Sequence, residues 1–249
     1  MLSRILSEMG DLQAFTADVS RIVETQEYAA TTSLVDNLQE QSLLEEMLDK
    51  AKPDYREGTE NRHYLISSPF RYPPLKHGSR FGDVTMTSFF YASEDVNTAL
   101  AECAFYRFVF LKDMLVPYER AIQSVHMSFR VNIESTAAAV LTEYSDHDIV
   151  NLLVSPNNYV YTQQLGKHLT QICGADVIRF YSARGAKWAG INVAIAQPEV
   201  IISKEPHGMV NWICLTTSNN ITFNTQQHTP VSFNIDSFFV DGHLPRLAR

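Results

Sequence analysis

The chain has 249 residues, 45% of them apolar and 19% charged, a make-up that excludes a disordered protein and suits one medium domain with an appendage or two small domains. A formal net charge of −8, with no dense run of Lys or Arg, argues against nucleic acid as a direct ligand. No apolar stretch reaches the length of a signal peptide or a membrane span, so a cytoplasmic protein is expected.

At the start, Leu2, Ile5, Leu6, Met9, Leu12, Val19, Ile22 and Val23 recur at helical spacing, which predicts one amphipathic helix, broken near Gly10. Thr31 to Ser33 offer helix-starting hydroxyls ahead of Leu34, Val35, Leu38, Leu43, Leu44, Met47 and Leu48. A helical hairpin follows from the two sets. The polar run Lys50 to Asn61, with breakers Pro53 and Gly58, ends that module, giving a helical extension over 1–58 and a second unit over 59–249.

Beyond the boundary the period changes. In Val125 to Ile133 apolar and polar residues alternate strictly, and Val231, Phe233 and Ile235 repeat the pattern, as half-buried strands do. Val177 to Tyr181, Ile191 to Ile195 and Ile221 to Phe223 are rich in β-branched or aromatic residues, so an α+β fold with a mixed sheet is predicted. Ser93 is placed to cap a helix that begins with Glu94 and Asp95 and runs to about Leu111. Cys103, Cys173 and Cys214 lack a paired spacing and read as reduced core thiols, and Asn157-Asn158 reads as a simple turn.

Glu102 falls in the middle of that helix, flanked by Leu100, Ala101, Cys103, Ala104 and Phe105. Burying an unpaired carboxylate costs several kcal/mol, so it has either a structural partner, Arg107 or Arg130, or a functional task. Upstream, Gly78-Ser79-Arg80-Phe81-Gly82 could bring backbone close to a ligand and clamp a phosphate with Arg80, although a solvated loop arginine fits the same letters. Tyr91 ends a strand, and Asp176 to Arg184 is a second strand ending in Ser182. Arg71, in Phe70-Arg71-Tyr72-Pro73, and Arg184 are secondary candidates for nucleotide contacts or salt bridges. Lys187 and Trp188, near Gly185 and Gly190, read as an ordinary surface turn. The eight histidines show no metal spacing, no Gly-x-Ser-x-Gly surrounds Ser182, and no Gly-x-Gly-x-x-Gly occurs, so no metal, no serine hydrolase triad and no Rossmann cofactor turn is expected.

An arginine after a glycine, a strand-end tyrosine, the helical Ala99-Leu100-Ala101-Glu102 and the strand Ile178-Arg179-Phe180-Tyr181-Ser182 together resemble the RES family, named for its Arg, Glu and Ser. The resemblance runs from about His63 to Pro198 and matches Arg80, Tyr91, Glu102 and Ser182. It implies a fold similar to ADP-ribosyltransferase toxins, breakdown of NAD as substrate and not as cofactor, and control by an Xre-like helix-turn-helix antitoxin. In that scheme Glu102 would stabilise the oxocarbenium-like state as nicotinamide leaves, and Arg80 would bind the pyrophosphate. Tyr91 would stack on nicotinamide or close the pocket, and Ser182 would position the ribose. The chain departs from the family in three places. An extension precedes Arg62, Phe81 stands where tryptophan is commoner, and the tail after Pro198 lies outside the resemblance. Transfer of ADP-ribose to a protein, and a non-catalytic interaction protein with a degenerate RES part, are the competing readings. The apolar stripes of the extension leave a homo-oligomer open.

Overall fold

The computed structural model describes residues 2–25, 34–116, 118, 120–144, 146–184 and 190–246. Thr31 to Ser33, and Gly185, Lys187 and Trp188, lie outside the described residues. In chain order come α1 (Leu2–Met9), β1 (Gln13–Glu24), α2 (Leu38–Lys50), α3 (Tyr64–Arg71), β2 (Phe90–Ser93), α4 (Val96–Lys112) and β3 (Ile122–Val140). Then follow α5 (His147–Leu153), α6 (Val160–Gln171), β4 (Val177–Tyr181), β5 (Ile191–Ile195), β6 (His207–Thr216), β7 (Asn220–Asn224) and β8 (Val231–Asn234). The fold is α+β.

All eight strands belong to one sheet in the order β1-β2-β5-β4-β3-β6-β7-β8, and β1 also pairs with β3. Five strands therefore close a circuit, and β6 to β8 extend from β3 as a wing. β3 makes this possible by its length: residues 126–138 pair with β1, while residues 138–140 pair in parallel with β4 and residues 122–130 pair with β6. From Phe129 on its alternation is the one the sequence predicts, with Phe129, Val131 and Ile133 buried between exposed Arg130, Asn132 and Glu134, but ahead of it the polar His126 and Ser128 are buried and Val125 and Met127 only partly so.

The first 58 residues correct the predicted helical hairpin. Among the described residues of this segment only Leu2–Met9 and Leu38–Lys50 are α-helical, and Gln13–Glu24 is a strand running antiparallel to β3, with Val19 opposite Val131. The spacing of Leu12, Val19, Ile22 and Val23 fits a helix. Phe15, Ala17, Val19 and Val23, however, also share one face at period two, and that face packs with Phe129, Val131 and Ile133 inside the circuit. Burial of a β-branched face along a long partner outweighs a local spacing signal. Ile5 is fully buried under α6 and β4, so α1 and β1 are built into the same cores as the rest, whereas α2 has no buried residue and leaves Leu38, Leu43 and Met47 exposed. The polar run after α2 is also tied down, since Arg56 donates to the Ala196 carbonyl at 2.8 Å.

Two smaller expectations change as well. The cap of α4 is Asp95, whose side chain accepts from the Thr98 amide at 2.9 Å, and Ser93 stays in β2. Cys173 is exposed, unlike buried Cys214 and half-buried Cys103, and all three are free thiols. The wing beyond Pro198 forms a separate core in which Trp212, Phe223, Phe233 and Phe238 pack against Leu100, Phe105 and Phe108 of α4. That core fixes one side of α4 and leaves the other facing the circuit. Among the described residues no helix is long and apolar enough to cross a membrane.

Candidate active site

A cleft of about 650 Å³, within the range of ligand sites, opens between α4, β1, β2 and the loops around residues 72–82 and 159. Glu102 is the one carboxylate among its described lining residues, and Arg21, Arg80 and Arg184 supply its guanidinium groups.

Glu102 is held by three donors. Its Oε1 accepts from Ser182 Oγ and from Asn192 Nδ2, each at 2.7 Å, and its Oε2 accepts from Arg184 Nε at 3.1 Å. The structural partner proposed from sequence is thus neither Arg107, which pairs with Glu24, nor Arg130, which pairs with Asp18, but Arg184. Asn192 is itself oriented, because its Oδ1 accepts from Ser93 Oγ at 2.7 Å. Ser182 donates its one proton to Glu102 and accepts from the Arg184 amide at 3.2 Å, so here it positions the carboxylate. A carboxylate offers about four acceptor positions. Three are filled, and one on Oε2 is left for a ligand hydroxyl.

Arg184, proposed as a nucleotide contact, is spent inside the protein. Nη1 donates to the Pro156 carbonyl at 3.1 Å, Nη2 donates to the hydroxyls of Tyr106 at 3.2 Å and Tyr159 at 2.7 Å, and the group stacks 3.7 Å from the Phe105 ring. Burial by itself would lower its pKa, but the Glu102 carboxylate and the two tyrosines outweigh that and raise it, so it is a permanent cation.

Arg80 is equally buried but differently used. Its Nη1 donates to the carbonyls of Leu153 and Ser155, both at 3.0 Å, and its guanidinium lies 4.5 Å over the Tyr159 ring, yet its buried Nη2 has no partner among the described residues. Tyr159 joins the two arginines, its ring under one and its hydroxyl on the other. The turn from Ser155 to Tyr159, which as sequence reads as a plain connection, is therefore the acceptor for both. The loop carrying Arg80 closes on itself: the Ser79 amide donates to the Gly82 carbonyl at 2.7 Å, and Gly78 at φ +69° leaves no room for a Cβ, which would fall 2.4 Å from that oxygen. Gly166 of α6 lets Phe81 sit directly on the helix, because a Cβ there would lie 2.0 Å from the Phe81 carbonyl. Phe81 itself is fully buried, edge-on to Phe180 at 4.7 Å, so the tryptophan-to-phenylalanine departure changes the core under the loop and not the wall of the cleft.

Tyr91 lines the cleft, and its hydroxyl pins the same loop, accepting from the Phe81 amide at 3.1 Å and donating to Ser79 Oγ at 2.9 Å. Burial pushes its pKa up to about 12, which keeps the hydroxyl neutral. Arg71 is a correction. It donates to the Pro53 carbonyl, stacks 4.2 Å over the Tyr55 ring and is not part of the lining. The residues sequence reasoning missed are Asn192, Tyr159, Tyr106 and Arg21. Only Tyr106, one helical turn from Glu102, carries a signal a reader of sequence could have used.

The RES domain family model matches residues 53–213, from before α3 to within β6. The chain belongs to the RES domain family. The positions matched from sequence, Arg80, Tyr91, Glu102 and Ser182, all fall in the matched segment; the first three line this cleft and Ser182 is hydrogen-bonded to Glu102 behind it. Among solved structures, the fold is similar to that of the M. tuberculosis MbcT–MbcA toxin–antitoxin complex, with a TM-score of 0.47 and 11% identity over 84% of this chain and 90% of that one. No curated protein matches the sequence. Among the described residues, no three His, Cys, Asp or Glu side chains gather as a metal site would require.

Proposed function

We propose that this RES protein is the toxin of a toxin–antitoxin pair and that its cleft binds NAD and cleaves the bond between nicotinamide and ribose. The observation that carries the reading is the Glu102 carboxylate, oriented by Ser182, Asn192 and Arg184 and left with one open acceptor position toward a cleft. Leaving of nicotinamide builds positive charge on the ribose, as in glycoside hydrolysis, and a fixed carboxylate accepting a ribose hydroxyl offsets that charge without reorganising. Arg80 Nη2, buried and without a partner, would donate to a phosphate oxygen. An Xre-like antitoxin that blocks the cleft is the corresponding partner.

The test is nicotinamide release from NAD by the purified chain against Glu102→Gln, which keeps the shape and removes the charge. Turnover is expected to fall by at least about 100-fold in the variant, the scale of losing one preorganised electrostatic contact, with free ADP-ribose as the second product. Equal turnover by both proteins, or label appearing only on a protein acceptor, would overturn this assignment.

A further inference from the structure

Three register partners form one polar rung across the circuit. Ser20 of β1 lies opposite Ser93 of β2, and Ser93 lies opposite Asn192 of β5, so the three side chains share a face. All three are buried, and all three line the cleft. Their chain neighbours Val19, Ala92 and Val193 point the other way, into an apolar core. A buried polar side chain costs free energy unless it is hydrogen-bonded, and apolar residues of the same shape would fill the rung without that requirement. What the rung supplies is a donor at a defined place. Ser93 Oγ donates to Asn192 Oδ1 at 2.7 Å, and Asn192 Nδ2 donates to Glu102 Oε1 at 2.7 Å. A carboxylate only accepts, so the amide presents its nitrogen to Glu102 and its oxygen to Ser93, whose hydroxyl then has to donate. Strand pairing on both sides of Ser93 fixes where that hydroxyl starts.

We propose that Ser93 is a positioning residue for the reaction: acting through the Asn192 amide, it fixes the direction of the Glu102 carboxylate. The proposal rests on the reading above for the reaction that Glu102 serves. Without the Ser93 hydroxyl the amide is anchored at one end only and turns about its last side-chain bond, so Glu102 loses a fixed donor while Ser182 and Arg184 still hold it. The carboxylate then samples directions that do not meet the substrate, which lowers the rate of the chemical step and leaves binding alone. A serine that only supports the fold would change the yield of folded protein and not the turnover of each folded molecule.

The experiment pairs NAD turnover by the full chain with NMR measurement of hydrogen exchange at the Asn192 side-chain amide, for the unaltered chain, Ser93→Ala, Ser93→Thr and Asn192→Asp. In Ser93→Ala, kcat is expected to fall at least about tenfold with KM within about twofold, and the amide protons to exchange at least about tenfold faster. Ser93→Thr keeps the hydroxyl and is expected to restore both. Asn192→Asp sets a second carboxylate against Glu102, so turnover is expected to fall at least about 100-fold at neutral pH. It is expected to recover as pH falls toward about 5.5, where one shared proton turns the introduced group into a donor. Unchanged kcat and unchanged amide exchange in Ser93→Ala overturn the proposal. So does full activity of Asn192→Asp at neutral pH, a comparison that holds even if the serine variants fail to fold. Amide exchange that depends on Ser93, without NAD cleavage, would leave the relay standing and remove the reaction. NAD cleavage with an unchanged kcat in Ser93→Ala would do the reverse.

Discussion

Two arginines sit on either side of Tyr159, and they are finished to different degrees. Arg184 has its carboxylate, two hydroxyls, a carbonyl and an aromatic face. Arg80 has two carbonyls, an aromatic face and a buried nitrogen with nothing to donate to. The first arrangement fixes the Glu102 carboxylate. The second is a partial solution: among the described residues, one half of the cleft is completed by the protein and the other is not. Geometry around Glu102 is preorganised, whereas charge around Arg80 is held in reserve.

The comparison breaks most visibly at Arg184. Arg184→Met removes the partner of Glu102 and leaves two tyrosine hydroxyls and a carbonyl short of a donor, so a stability loss of about 3–5 kcal/mol is expected in denaturant titration. If the variant is as stable as the parent, the finished half is not holding the fold.

A control comes from His126, which also has a buried unpartnered nitrogen, Nδ1, but lies away from the cleft beside Arg107 and Glu24. Burial first, then the Arg107 charge, lowers its pKa from 6.5 to about 4 against a weaker opposing pull from Glu24. The unfolded chain therefore takes up this proton before the folded one does. Stability is lost as pH falls from about 6.5 toward 4, by up to about 3 kcal/mol at roughly 1.4 kcal/mol per unit. His126→Phe should flatten that acid slope in melting curves. If the slope persists, the histidine is charged in the fold, and a vacant buried nitrogen is no guide to protonation here. Unlike Arg80, His126 escapes its problem by staying neutral.

The smallest effect on stability belongs to Arg80. Arg80→Met should change it by no more than about 1 kcal/mol, since two neutral carbonyl contacts and one ring contact are lost along with an uncompensated charge. Its KM for NAD should rise at least about tenfold. A large loss of stability instead would place Arg80 with Arg184 as a structural cation.

What the sequence disclosed follows from where its signals are local. Glu102 stands out because a carboxylate inside an apolar helical run has to be accounted for, and Val125 to Ile133 shows its strand because alternation is a nearest-neighbour pattern. The strand Gln13–Glu24 was hidden because its stabilising partner, β3, lies far along the chain, and its spacing also satisfied a helix. Asn192 and Tyr159 were hidden for a related reason. An asparagine opening a strand and a tyrosine closing a turn look ordinary until the fold brings the first to Glu102 and the second between two guanidinium groups. The Arg71 assignment failed because proximity in sequence to the Arg80 loop does not fix the direction of a side chain at the end of α3.

Closure of the five-strand circuit also sets an order in time. The strand bearing Arg21 is synthesised before the residues it pairs with: Val19 waits for Val131, and Glu102 waits for Asn192 in β5. Pairings of such long sequence separation form late, after their loop-closure entropy has been met. While the ribosome is still short of residue 195, the chain has a carboxylate without its full set of donors and no closed ring around it. The Glu102 site is therefore completed only once β5 has joined the circuit.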